Sequence, residues 1–340
     1  MTKRDVVKTV LDGGKPPYVP WHIILSKEAL ERYTVHYKIN DIENHIDNHL
    51  IRTGSTLGFF TDMDHDCKMD DFGVVWDRRI DKDFGTVKDC PLKEPSLAGY
   101  QFPDPHDPRF FEDIQEKIDL WSDRFSMFNM GLALFERAWS MRGMEQLMMD
   151  FYDHPEFVHS LLNTIADYHI AKLRKALEFD IDAVYFMDDW GQQRGLLMGP
   201  SMWRTFIFPV LKRMYSVVKD AGKYVVIHSC GSVEELFDDL ITIGVNCFNP
   251  LQPEVMDATG ILKAYRKLLS FYGGISTQRT MPFGSPEDVK RETAEFIKLG
   301  SDGGYICAPS QSVERDVSVE NIHALIEILH SQPGYSGNYS

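Results

Sequence analysis

From residue 182 to residue 330 the chain alternates short apolar runs with amphipathic ones, joined by few residues. No other feature restricts the fold as much. Residues 182–188, 223–229, 245–250, 269–275 and 303–308 read as strands. Residues 201–220, 257–267 and 318–330 read as helices, the last with Ile322, Leu325, Ile326 and Leu329 on one face. Gly222 closes the first of these, and Ser232 with Glu235 makes a capping box for a further helix. Ser285-Pro286-Glu287-Asp288 opens another, with proline at the first helical position, and Gly300 ends it. Strands joined by helices pair in parallel and are covered by those helices. Three segments of the first half, 18–25, one near 55–61 and 125–130, complete eight strands. The expectation is an α/β fold, a (β/α)8 TIM barrel, formed as a single domain over 1–340. A doubly wound sheet is the alternative, but no Gly-x-Gly-x-x-Gly turn follows an early strand. The acidic, proline-containing stretch 62–108 reads as long loops in the N-terminal third, and 335–340 as a frayed tail.

Composition narrows the partners. The net charge of −15 disfavours nucleic acid and anionic membrane. No run approaches the roughly 18 apolar residues of a membrane span, and Met1-Thr2-Lys3-Arg4-Asp5-Val6 has no leader pattern. Five dispersed cysteines, an odd number, argue for a reducing, cytoplasmic location rather than a disulfide framework.

The chemistry-bearing motif is His228-Ser229-Cys230-Gly231 after the run Tyr224–Ile227, with a distant Cys307 after Gly304-Tyr305-Ile306. On an extended strand end, residues 228 and 230 point the same way. One imidazole and two thiolates suit zinc and leave a fourth position open. The competing reading is a polar core histidine with two buried thiols. All three residues stand at carboxyl ends of expected strands, the face that carries barrel active sites. Asp188 and Asp189 end another strand there. Either is a candidate general acid, fourth ligand or substrate anchor, and a one-residue shift in the strand would exchange their directions. Trp190, Gln193, Trp21 and His22 are the candidate substrate contacts. The acidic run Asp62–Asp71 lacks calcium-loop spacing and reads as solvated loop. Glu136 and Arg137, in an otherwise apolar stretch, call for partners.

These segments resemble the uroporphyrinogen decarboxylase superfamily, and within it the zinc-dependent, corrinoid-linked methyltransferases. The resemblance runs from about Trp21 to about Leu329. Its carriers are Asp71–Trp76, Glu136–Gly143, Asp188-Asp189-Trp190-Gly191, His228-Ser229-Cys230-Gly231 and Cys307. It implies a barrel with zinc at the mouth, and methyl transfer between a small methylated substrate and the cobalt of a corrinoid (cobalamin) carried by a partner protein. A methoxylated aromatic donor is the preferred reading. Methylation of a thiol from methyl-cobalamin is the alternative. A decarboxylase is less favoured, because Pro20–Lys27 lacks the arginines that such enzymes place there for a polyanionic tetrapyrrole. A non-catalytic zinc-stabilised barrel would need four closed ligands.

Overall fold

The computed structural model describes residues 1–55, 58–80 and 85–337. In chain order its strands are β1 (Leu50–Thr53), β2 (Phe60–Asp62), β3 (Cys67–Asp70), β4 (Val75–Asp77), β5 (Thr86–Asp89), β6 (Phe125–Met130), β7 (Ala183–Met187), β8 (Gly191–Gln192), β9 (Gly195–Leu196), β10 (Tyr224–His228), β11 (Cys247–Leu251), β12 (Ser270–Ile275) and β13 (Tyr305–Pro309). β1, β6, β7, β10, β11, β12 and β13 pair side by side in that order, every pair parallel.

The segment at Pro20–Leu25 closes the ring. Trp21 and Leu25 bridge in parallel to Cys307 and Val313. His22 N donates to the Cys307 carbonyl at 3.0 Å, and Cys307 N to the Pro20 carbonyl at 2.8 Å. On the other side, His49 N donates to the Trp21 carbonyl at 3.1 Å. The result is a (β/α)8 barrel whose eighth stave is made of bridges rather than a full strand.

Side-chain alternation separates two cores. Leu50, Phe125, Met127, Ala183, Tyr185, Val226, Cys247, Tyr272, Ile306 and Ala308 fill the lumen. Their strand neighbours, such as Val184, Phe186, Ile227, Phe248, Tyr305 and Cys307, pack outward against the helices. The helix Lys3–Leu11 lays Val7, Val10 and Leu11 against the lumen cluster. Arg4 and Lys8 on it pair with the buried Asp182 just before β7. That end of the barrel is plugged, so an accessible site must lie at the carboxyl ends of the strands.

Several expectations need correction. The stretch 62–108 is not all loop: β2 to β5 form a four-stranded antiparallel sheet. Its strands have only three or four residues, too short for their alternation to stand out. The barrel strand expected near 55–61 lies earlier, at β1, and residues 56–57 of that range are outside the described residues. Ser232 caps no helix; a 3-10 turn, Glu234–Leu236, stands there instead. In contrast, Ser285 and Asp288 form the expected capping box. Tyr335 is tied down, donating to Asp47 at 2.6 Å, and residues 338–340 of the expected tail are outside the described residues. Among the described residues, no helix is long and apolar enough to cross a membrane.

The small sheet is fixed to the barrel by Asp70. Its carboxylate accepts from Phe72 N, Val74 N and the Trp76 indole, and pairs with Arg137 at 2.7 Å. Both ions are buried, and the guanidinium lies 4.0 Å above the Phe72 ring. Arg137 thus has the partner its apolar surroundings demand. Arg137→Met strands Asp70 as a buried unpaired charge, which costs about 3–5 kcal/mol. Urea unfolding should show a loss of that size; a loss under about 1 kcal/mol would mean that the pair does not tie the two parts together.

Candidate functional site

The open end of the barrel holds a cavity of about 510 Å³. It is lined by His22, Ile24, Arg52, Glu136, Tyr185, Met187, Asp189, His228, Cys230, Asn249, Tyr272 and Pro309–Ser312. Most of these stand on strands or just past their carboxyl ends, the position that barrel geometry assigns to reacting groups.

His228 is the last residue of β10, on the lumen side with Tyr224 and Val226. Its Nδ1 lies 2.7 Å from Asn249 Oδ1 and 3.0 Å from the Tyr185 hydroxyl. The Asn249 amide is itself oriented, because its Nδ2 donates to the Tyr272 carbonyl at 2.9 Å. The oxygen therefore faces the ring, Nδ1 carries the proton, and Nε2 presents its lone pair. Burial lowers the pKa of His228, which favours that neutral ring. Nε2 faces Cys230 Sγ at 3.3 Å and Asp189 Oδ1 at 3.7 Å.

Cys230 is placed by a tight turn. Gly231 has φ +84°, and a Cβ there would come within 2.4 Å of the Gly191 backbone. Only two glycines allow this approach. Asp189 Oδ1 accepts from Cys230 N at 2.8 Å, and Gln311 Nε2 reaches the sulfur at 3.0 Å. Burial, with Asp189 beside it, raises the Cys230 thiol well above its ordinary range. Asp189, His228 and Cys230 bring an oxygen, a nitrogen and a sulfur all within 4.8 Å of one another. That donor set fits zinc.

The other expected ligand is elsewhere. Cys307 lies in the middle of β13, wholly buried, and belongs to the outward core while Ile306 and Ala308 face the lumen. Burial pushes its thiol up to about 12. It does not join His228 and Cys230, and Asp189 stands with them instead.

The two aspartates divide. Asp188 is fully buried and accepts from the backbone N–H groups of Leu134, Phe135 and Glu136 at 2.8–3.1 Å and from the Trp190 indole at 2.6 Å. Burial pushes its carboxyl up to about 6 against those donors. It anchors the start of the helix Phe135–Arg142 and does not line the cavity, whereas Asp189 does.

Of the expected substrate contacts, only His22 lines the cavity, with Nδ1 hydrogen-bonded to the Tyr272 hydroxyl. Trp21 is buried on the outer side against His49 and Tyr335. Trp190 is buried in the outer core, and Gln193 is exposed beyond β8. Residues that sequence reasoning passed over as site residues are Glu136, Arg52, Tyr185, Asn249, Tyr272 and Gln311. A polar residue inside an apolar run, as in Leu50-Ile51-Arg52 and Cys247-Phe248-Asn249, was the available signal. Glu136 stands beside Asp189, and burial with the nearby carboxylates raises it well above the usual range.

Comparison with known proteins agrees with this architecture. A methylated-thiol–coenzyme M methyltransferase of Methanosarcina mazei is 22% identical over 204 residues, 59% of this chain and 52% of that protein. A uroporphyrinogen decarboxylase of Chlorobaculum tepidum is 25% identical over 195 residues, 53% of this chain and 51% of that protein. The chain thus spans about half the length of these curated relatives. A solved structure described as a methyltransferase from Methanosarcina mazei superposes with a TM-score of 0.74 at 16% identity, over 97% of this chain and 98% of that one, a likeness of fold. The sequence pattern described as Uroporphyrinogen decarboxylase (URO-D) matches residues 129–332, more than half of the chain, and the chain belongs to that family.

Proposed function

We propose that this barrel activates a small methylated substrate for methyl transfer to the cobalt of a corrinoid carried by a partner protein, with a methoxylated aromatic compound as the donor. The observation that carries this reading is the Asp189–His228–Cys230 donor cluster at the mouth of an otherwise plugged barrel. Zinc held by those three side chains supplies a Lewis acid for the heteroatom that bears the methyl group.

The remaining work falls to the chain itself. Asn249 and Tyr185 fix the His228 ring so that Nε2 stays available, the way a supporting shell orients a ligand. In the transfer, the O–CH3 bond breaks, its electron pair remains on the oxygen, and that oxygen takes a proton. The Glu136 carboxyl, in the same cavity, is placed to supply it. Barrel walls on all sides hold the substrate in one orientation toward the open mouth, where a corrinoid face can dock. Such orientation converts an encounter into an intramolecular step.

The same donor cluster serves the reverse direction, with a thiol as acceptor, and the similarity to the methylated-thiol–coenzyme M methyltransferase favours keeping that second reading. Decarboxylation of uroporphyrinogen is disfavoured. Among the described residues, Arg52 is the one arginine lining the cavity, too little positive charge for a substrate bearing four acetates and four propionates.

One experiment separates these. Zinc-loaded protein is mixed with free cob(I)alamin and a panel of methoxylated aromatics, and methylcobalamin is followed by its absorbance. We expect slow methylation that stops when zinc is chelated. Turnover of methylcobalamin with a thiol, while every methoxylated donor is inert, would reverse the direction. Coproporphyrinogen formed at a catalytic rate would overturn the reading altogether.

A further inference from the structure

Arg52 is a half-buried cation for which the described residues offer no carboxylate. It lies on the lumen side of β1 and lines the cavity. Its guanidinium carbon sits 4.2 Å over the Tyr185 ring, and Nη2 donates to the Tyr272 hydroxyl at 3.3 Å. Its Nε is buried and has no hydrogen-bond partner among the described residues. The groups around the guanidinium are thus an aromatic face and a hydroxyl, and no carboxylate among the described residues pairs with it. A chain with net charge −15 has abundant carboxylates to pair with a structural arginine, as Asp70 pairs with Arg137. Arg52, half withdrawn from water, has none.

The position of Arg52 relative to the donor cluster adds the second observation. Tyr185 touches both poles of the cavity: its ring lies under Arg52, and its hydroxyl is 3.0 Å from His228 Nδ1. The cavity is therefore cationic on one side of a single tyrosine and lined by Asp189, His228 and Cys230 on the other. Its volume, about 510 Å³, falls within the roughly 300–1,000 Å³ usual for small-molecule sites.

We propose that Arg52, with the Tyr272 hydroxyl beside it, is an anion subsite that receives the carboxylate of a small monoanionic substrate. The fork of a guanidinium matches a carboxylate in two hydrogen bonds, and the free Nε–H is one of the donors available for them. The identity of the other end of the substrate, a methyl-bearing oxygen or sulfur, rests on the methyl-transfer reading; the anion subsite does not. The substrate class is thereby narrowed from methoxylated aromatics in general to acids such as methoxybenzoates.

The test is calorimetric binding of 3-methoxybenzoate and 3-methoxybenzamide, two probes of the same shape that differ in charge. The benzoate should bind at least tenfold more tightly than the amide. Arg52→Met should bring the benzoate to the level of the amide, and Arg52→Lys should keep an intermediate preference. Should the methionine variant fail to fold, the wild-type comparison and the lysine variant still decide. Equal binding of the two probes by the wild-type protein, or a preference that survives in Arg52→Met, overturns the subsite. So does the absence of saturable binding for both 3-methoxybenzoate and 3-methylthiopropionate. A clear charge preference in a protein that transfers no methyl group would leave the subsite standing and remove the methyl-transfer reading instead.

Discussion

Protein carrying Cys230→Ala should lose nearly all of its tightly bound zinc, falling from about one equivalent per chain to under about a tenth, while Cys307→Ala keeps its full complement. What separates the two cysteines is position: Cys230 lies in the turn just past β10, at the mouth, and Cys307 lies within β13. Cys230 follows the lumen-facing His228 at the next position but one, and its sulfur lies 3.3 Å from Nε2. Cys307 lies between the lumen-facing Ile306 and Ala308 and is turned the other way. Loss of a direct ligand exceeds the effect of removing a supporting partner, which already costs roughly 10–100-fold in metal affinity or activity. Methyl transfer by Cys230→Ala should therefore drop by at least about a hundredfold. Cys307→Ala should show only the modest destabilisation of a small core truncation, about 1 kcal/mol. Metal analysis of the two proteins after dialysis decides it. Zinc lost from Cys307→Ala and retained in Cys230→Ala would invert the site.

The second large effect separates neighbouring aspartates by what they hold. Asp188→Asn should destabilise the protein by about 2–4 kcal/mol, because an amide cannot accept from all the donors that now converge on the carboxylate. Three backbone N–H groups and the Trp190 indole depend on it, at a position wholly buried from solvent. Zinc per folded chain should persist. Asp189→Asn should behave in the opposite way. Its side chain is about one third exposed, so stability should change by less than about 1 kcal/mol. Zinc affinity and methyl transfer should both fall. Urea midpoints and zinc titration on the same two proteins provide the comparison. A destabilised Asp189→Asn beside an unchanged Asp188→Asn would mean that the pocket has been assigned to the wrong residue.

The legible parts of this protein are those encoded locally. The alternation of apolar runs with amphipathic helices in residues 182–330 carries the parallel barrel, since each period is a property of a few adjacent residues. Ser285 and Asp288 specify their capping box for the same reason. Positions 228 and 230, two apart, were expected to face the same way, so two of the three donors were readable. The short strands β2 to β5 were not, because three or four residues barely complete one alternation.

The sequence alone thus determined the order of the barrel strands from β7 onward and the pairing of His228 with Cys230. Tertiary structure decided which side chains join them. A barrel strand is apolar on both faces, so runs such as Gly304–Ala308 and Ala183–Asp189 carry no pattern that tells lumen from outer core. Register against neighbouring strands settles it. That register turns Cys307 outward, sets Asp188 under a helix and brings Asp189 to His228 and Cys230. It also gathers Arg52, Tyr185, Asn249 and Tyr272, from four different strands, around one cavity. No local rule of sequence contains that convergence, because it arises only when the sheet curls and the eighth stave at Pro20–Leu25 closes it.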